Sequence, residues 1–312
     1  MPVDMLDESL LRLLQEDGRA SYSDLAKKVG VNRSVVASRV NHFLSSGEVR
    51  VTAAVHPRLL GLAVLAHLAL RVTGDTRVVT ERLDAMTSAV FVSETTGAFQ
   101  VVAELRVETM SDLYEDIARV RELTNVVDVQ VLVYEHVIRS LFLGEEPSLL
   151  DWELDDTDIE IMRILQHNGR VGYAELSAAV GLSVSACRTR VLRLLDAHVM
   201  RVGAIRSRHG GSASFVFGMG ISPAGGVPAV LDLLASVDGV EFVARTVGRY
   251  AMVATVAVKS LAEYNDLLRA VRRLPGVSSA ETWIHADIVR ERYESTLDRL
   301  IRDRQEPLAE MQ

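Results

Sequence analysis

One cysteine stands in 312 residues. A lone thiol excludes an internal disulfide framework and fits a reducing compartment. No apolar run reaches the roughly 18–20 residues that a membrane helix needs. The opening stretch "MPVDMLDESL" has neither the basic start nor the apolar stretch of a secretory signal. A soluble, cytoplasmic chain with no membrane partner is therefore expected. The eight histidines form no C-x-x-C or H-E-x-x-H spacing, which leaves no metal site to expect. "GSASFVFGMGISPAGG" is glycine-rich but lacks the GK[ST] ending of a phosphate loop, so it reads as turn and strand. No nucleophile elbow accompanies the scattered Ser, His and Asp residues. No catalytic residue and no cofactor are expected. A basic surplus is also missing, since the net charge is -8. A nucleic-acid binder of this charge needs a local basic face on an acidic body.

What the chain does have is repetition. Residues 15–30, "QEDGRASYSDLAKKVG", and 166–181, "QHNGRVGYAELSAAVG", share seven of sixteen positions at an offset of 151. Without a gap, the same offset places Asp7 on Asp158, Arg39 on Arg190, Val40 on Val191, Phe91 on Phe242, Thr95 on Thr246, Gly97 on Gly248 and Arg121 on Arg272. A period this long is domain-sized rather than solenoid-sized. It indicates a duplicated whole unit, and with 48% hydrophobic content the chain can bury more than one core.

Within one unit, Leu6, Leu10, Leu13 and Leu14 recur at helical spacing, and Gly18 supplies a left-handed helix end. Ser21 and Asp24 fit the start of a second short helix, closed by Gly30. Asn32 is placed to cap a third, whose Val36, Val40, Phe43 and Leu44 form one apolar side. This is a helix-turn-helix with the third helix as reader. Its outward residues are Arg33, Ser34, Ala37, Ser38 and Asn41; in the second copy they are Val184, Ser185, Arg188, Thr189 and Leu192. Residues 21–52 carry five Lys or Arg against two acids, and 172–203 carry four against two. Cys187 falls opposite Val36, on the packed side, and reads as a small apolar residue. Beyond the third helix the pattern becomes βαββαβ, a ferredoxin-like four-stranded sheet covered on one face by two helices. Apolar residues on both strand faces predict that the open face is buried against another sheet. The fold class is thus α+β, with helix-turn-helix domains at 1–52 and 154–203 and βαββαβ domains at 60–140 and 211–293.

A helix-turn-helix beginning "LDESLLRLLQEDGRASYSDLAKKVG", followed by βαββαβ with a Thr-Gly turn between the central strands, resembles the Lrp/AsnC transcription regulators. The resemblance covers residues 5–140 and again 154–293. It implies double-stranded DNA as partner and sheet-to-sheet dimerisation, with an amino-acid-like effector near the subunit interface. It also implies a homo-oligomer, a dimer of tandem chains or larger. Because the family brings one unit per chain, two linked units would form the usual pair within one molecule. Phosphate contacts are expected from Lys27, Lys28, Arg33, Arg39 and Arg50, and from Arg190, Arg193 and Arg201. Base reading is expected from Ser34, Ala37 and Ser38, and from Ser185, Arg188 and Thr189.

The family's Gly-x-Tyr-Asp effector turn corresponds here to Gly97-Ala98-Phe99-Gln100 and Gly248-Arg249-Tyr250-Ala251. The aromatic is kept in both and the acid in neither. The family's Pro-Gly-Val appears as Thr124-Asn125-Val126 and Pro275-Gly276-Val277, with Thr282 retained and Val131 opposite it. The resemblance extends to siroheme decarboxylases, which share the arrangement but depend on histidines near that turn; "TTGAFQVV" and "TVGRYAMV" contain none. A metabolite sensor without DNA binding is the other alternative.

Overall fold

The structure is a computed structural model that describes residues 3–140, 154–206, 215–225, 227–292 and 297. The connection 141–153 and the stretch 207–214 lie outside the described residues, and with them most of "LFLGEEPSLLDWELDD" and the start of the glycine-rich segment. The chain divides into two compact units, and neither unit is a repeat: each takes one segment from each repeat.

The first unit joins the two helix-turn-helix segments. One comprises α1 (Val3–Glu16), α2 (Tyr22–Val29), α3 (Arg33–Ser45) and β1 (Val49–Val55). Its repeat, placed here in chain order, comprises α6 (Asp156–His167), α7 (Tyr173–Val180), α8 (Val184–Asp196) and β6 (Met200–Arg206). Ser21 accepts the Asp24 N–H at 3.1 Å, and Gly30 closes α2 in the left-handed region at φ 68°. Asn32 makes no side-chain cap bond, whereas Ser183, its partner in the repeat, accepts the Ala186 N–H at 3.2 Å. Val36, Val40 and Phe43 are buried, as are Cys187, Val191 and Leu194. β1 and β6 pair antiparallel with Thr52 opposite Gly203, its own repeat position, so the pairing is pseudo-twofold.

Gly18 does not end a helix in a left-handed turn. It is glycine because the chains approach closely: a Cβ there would lie 2.8 Å from Val51 Cγ1 and 3.1 Å from Gly203 Cα. Gly169 meets Val202 and Val51 in the same way. The approach lets the Gly18 N–H donate to Val202 O and the Gly169 N–H to Val51 O, both at 2.9 Å. Arg19 then donates to the carbonyls of Gly169 and Val171 at 2.7 and 3.0 Å, and Arg170 to those of Gly18 and Ala20 at 2.6 and 3.1 Å. Each guanidinium also covers the other segment's tyrosine, Arg19 on Tyr173 at 4.6 Å and Arg170 on Tyr22 at 5.2 Å. The repeated Gly-Arg-x-x-Tyr is therefore a reciprocal clamp.

The second unit joins the two βαββαβ segments. The first contributes β2 (Val64–Val72), α4 (Arg77–Asp84), β3 (Ala89–Thr95), β4 (Val101–Val107), α5 (Met110–Arg121) and β5 (Val126–Ser140). The second contributes β7 (Phe215–Pro223), α9 (Val227–Ala235), β8 (Val240–Val247), β9 (Met252–Val258), α10 (Leu261–Arg273) and β10 (Val277–Glu291). The eight strands close into a barrel in the order β10-β3-β4-β2-β5-β8-β9-β7. The 15-residue strands make the closure: β5 pairs with β2 over its first half and with β8 over its second, and β10 does the same with β7 and β3. Closure removes sheet edges that would otherwise expose unpaired N–H and C=O groups. Each half has its own core between sheet and helices, one around Leu68, Leu70, Leu105 and Leu113, the other around Phe217, Met219, Val256 and Val271. Side chains of this size contribute about 1.5–3 kcal/mol each when fully buried.

Candidate nucleic-acid interface

The reading face of the first helix-turn-helix follows from the α2–turn–α3 geometry. Burial of Val36, Val40 and Phe43 turns Arg33, Ser34, Ser38 and Asn41 outward, all exposed, with Ala37 half-buried at their edge. Lys27 and Lys28 in the last turn of α2 are exposed too, and Lys27 lies 3.7 Å from Asp24. Exposed lysines next to a reader helix supply the local positive charge that the composition as a whole lacks. Asn41 is held in place, because its side-chain oxygen accepts the Tyr22 hydroxyl at 2.8 Å.

On α8, Ser185, Arg188 and Thr189 are exposed. The Thr189 hydroxyl donates to Ser185 O at 3.0 Å within the helix. The surroundings differ from those of α3. Ala178 and Ala179 stand where the first copy has Lys27 and Lys28, and half-exposed Val184 and Leu192 replace Arg33 and Asn41.

Three of the residues expected at phosphates are paired with carboxylates of the chain itself. Arg39 is bonded through Nε to Asp7 at 2.8 Å and through Nη2 to its other oxygen, tying α3 to α1. Arg190 bonds Asp155 and Asp158 at 2.6 and 2.9 Å, and Arg193 bonds Asp158 at 2.5 Å. Asp158 is fully buried, so removing its cations would leave a buried charge without compensation. These arginines read as ion-pair anchors because helix packing, not helix pitch, brings α1 and α6 against them. Arg50 is exposed and Arg201 half-buried, on β1 and β6.

The two expected effector turns do not come together in one place. Each is clasped by the last strand of the other half. Thr96 N–H donates to Ile284 O at 3.0 Å, and the Ile284 N–H donates to Thr96 Oγ1 at 3.1 Å. Gly248, at φ 145°, sits so close to Val131 O that a Cβ would lie 2.8 Å from it. Gln100 uses its side chain locally, accepting the Val72 N–H at 2.9 Å and donating to Gly97 O at 3.0 Å. Phe99 lies under Arg71 at 5.8 Å, and Ala98 is exposed. In the second turn Arg249 grips Glu281 at 2.7 and 2.8 Å and reaches Gln130 at 3.2 Å, while Ala251 is exposed. Tyr250 is buried, donates to Glu281 at 2.9 Å, and its hydroxyl is pushed up to about 12 by burial and that carboxylate.

Sequence reasoning missed the interior of the barrel. His67, Glu104, Tyr134, Trp283 and His285 line one cavity there. Its signal in the sequence was an imidazole and a carboxyl, His67 and Glu104, in the middle of two otherwise mostly apolar strands, "VLAHLALRV" and "VVAELRV". Among the described residues no group of three or more His, Cys, Asp or Glu is placed to hold a metal ion, and no helix is long and apolar enough to cross a membrane.

Paired helix-turn-helix segments beside an α+β barrel are the fold, and comparison with known proteins gives the family. The AsnC-type helix-turn-helix domain matches residues 3–43 and 154–195, and the Lrp/AsnC ligand binding domain matches 219–295. An uncharacterized HTH-type transcriptional regulator of Pyrococcus abyssi is 33% identical over 113 residues, 36% of this chain and 72% of that protein. The HTH-type transcriptional regulator FL11 of Pyrococcus horikoshii is 30% identical over 115 residues, 36% of this chain and 76% of that one. Among solved structures, the siroheme decarboxylase NirDL covers 98% of this chain and 99% of its own at TM-score 0.63 and 18% identity, a likeness of fold. The chain belongs to the Lrp/AsnC family of transcriptional regulators, and carries its helix-turn-helix twice.

Proposed function

We propose that the protein is a cytoplasmic regulator that binds specific double-stranded DNA through α3 and α8 together, the two readers being presented by one chain. The observation that carries this reading is the reciprocal Arg19/Arg170 clamp, which holds two exposed reader helices in one pseudo-twofold frame. Lys27, Lys28 and Arg33 supply phosphate contacts, with Arg50 and Arg201 on the paired strands. Ser34, Ser38, Ser185 and Arg188 supply base contacts. Gel-shift titration on the chain's own promoter region tests it: tighter binding there than to random DNA at physiological salt is expected, and equal weak binding to both overturns it.

The regulator acts as a dimer of tandem chains or larger, an assembly that light scattering after size exclusion measures. An amino-acid-like effector at Gly97–Gln100 or Gly248–Ala251 would have to compete with the Arg249–Glu281 pair or the Gln100 side chain for its hydrogen bonds. A thermal-shift screen tests this, since a ligand at 100 times its Kd stabilises the native state by about 2.7 kcal/mol. The decarboxylase reading draws support from the likeness of fold over the whole chain. The one cavity described between the sheets, lined by His67, Glu104, Tyr134, Trp283 and His285, is about 10 Å³ and holds about one water molecule, so a macrocycle would need a wider opening or another place. An absorbance titration with an iron uroporphyrin separates the two readings.

A further inference from the structure

The barrel interior holds polar groups that neither the reader helices nor the turns use. The repeat shows how unevenly they are divided. Shifting by 151 pairs Phe91 with Phe242, Tyr134 with His285, Glu104 with Thr255, His67 with Gly218 and Leu132 with Trp283. One half thus supplies a carboxyl and an imidazole where its mate has a hydroxyl and no side chain. The Trp283 indole occupies the space over Gly218, where a Cβ would lie 2.1 Å from it, and stands 5.6 Å from the His67 ring.

Their position matters as much as their chemistry. Tyr134 faces Thr246 across the β5–β8 seam, and His285 faces Thr95 across the β10–β3 seam. The register shifts immediately after each of them. Glu104 accepts the Tyr134 hydroxyl at 2.9 Å. A change of charge on Glu104 therefore acts on the strand that joins the halves.

We propose that the barrel interior is a proton-binding site, with Glu104 as the acceptor and Tyr134 transmitting its charge state to the β5–β8 seam. The groups facing Glu104 are Tyr134 on β5, Arg106 on β4, His67 on β2, and His285 and Glu291 on β10. Burial pushes the carboxyl up to about 7, with Glu291 adding to the rise, against the pull of the Tyr134 hydrogen bond and the Arg106 charge. Burial holds His67 down to about 4, so it stays neutral over this range and offers no counter-charge.

The sign follows from linkage. The folded chain keeps a proton on Glu104 that the unfolded chain releases above about 4.5, so this group's contribution to stability falls as pH rises from there to about 7. His67 works the other way: its folded value lies below the ordinary 6.5, and its contribution falls as pH drops from there to about 4. The two slopes overlap, so variants must separate them.

The test is Trp283 emission between pH 5 and 9 in the full chain carrying Trp152→Phe, without DNA, so that it stands or falls apart from the regulator reading. A one-proton transition with its midpoint near 7 is expected. It should vanish in Glu104→Gln and in Glu104→Thr, the residue the mate carries at Thr255, and persist in His67→Gln. Tyr134→Phe should move it upward, because the bond it loses favours the carboxylate. A flat wild-type curve, or a midpoint that survives in either folded Glu104 variant, overturns the site. An unmoved midpoint in Tyr134→Phe overturns the link to the seam.

Discussion

The two reader domains share a frame and differ in their faces. Gly18, Arg19 and Tyr22 return as Gly169, Arg170 and Tyr173, and each trio grips the other through the same hydrogen bonds and ring contacts. Asp7 and Arg39 return as Asp158 and Arg190, anchoring the reader helix in both copies. On the reading faces the likeness stops. The first copy presents Lys27, Lys28 and Arg33; the second presents Ala178, Ala179 and half-exposed Val184 at the same places. After a duplication, the groups that hold the pair together remained alike while the groups facing outward diverged. A pair of identical chains reads a palindrome. This chain has two unlike readers in one frame, and its site should be unlike in its two halves.

The shared frame gives the largest effect. Hydrogen bonds from a charged donor contribute about 1.5–3 kcal/mol each, and each arginine of the clamp makes two from a part-buried position. Because water reaches the part-buried carbonyls and replaces part of the four bonds, the double variant Arg19→Ala/Arg170→Ala should lose about 3–5 kcal/mol, less than their simple sum, in denaturant unfolding followed by a probe in the reader unit. A loss under about 1 kcal/mol would mean that β1–β6 pairing suffices without the clamp.

Divergence of the faces comes next. Where α3 offers Ala37, α8 offers Arg188, which is able to bind the O6 and N7 of a guanine as a bidentate donor, worth about 1–3 kcal/mol against a wrong base. Randomised-site selection should yield one guanine-containing half-site and one more permissive one. Arg188→Ala should relax the first alone; two mirror-related half-sites, unchanged by the substitution, would contradict this.

Helix caps give the smallest effect and separate the copies again. Ser183 caps α8 with a real bond while Asn32 makes none at α3. Ser183→Ala should cost about 1 kcal/mol and Asn32→Ala less than about 0.5 kcal/mol. Thermal unfolding of the two variants, with equal losses, would erase the difference.

Much of this was legible in the sequence because local rules governed it. The apolar stripes of α3 and α8, the Ser21 cap and the βαββαβ order all follow from spacing within one element. Contacts between repeats were not legible that way. Gly18 looked like a helix end because a glycine after a helix usually is one, whereas here Val51 and Gly203 of the paired strands leave no room for a side chain. The ion pairs of Arg39, Arg190 and Arg193 were not legible either, because the acids that hold them lie a helix away. The uncovered sheet face was expected to meet another sheet. That the strands would also pair edge to edge into a barrel depends on how far β5 and β10 run past their own sheets. His67 and Glu104 escaped notice because alternation assigns a face to a residue without saying what it meets there.

The most direct measurement is the salt dependence of DNA affinity. Log Kd against log salt for the wild type, Lys27→Ala/Lys28→Ala and Ala178→Lys/Ala179→Lys reports how many phosphates each reader neutralises, at about 0.9 in slope per contact. If the first reader carries the phosphate attachment, the slope should shrink by about 1.8 in the first variant and steepen by a similar amount in the second. Identical slopes in all three proteins would contradict an interface built from these two unlike faces.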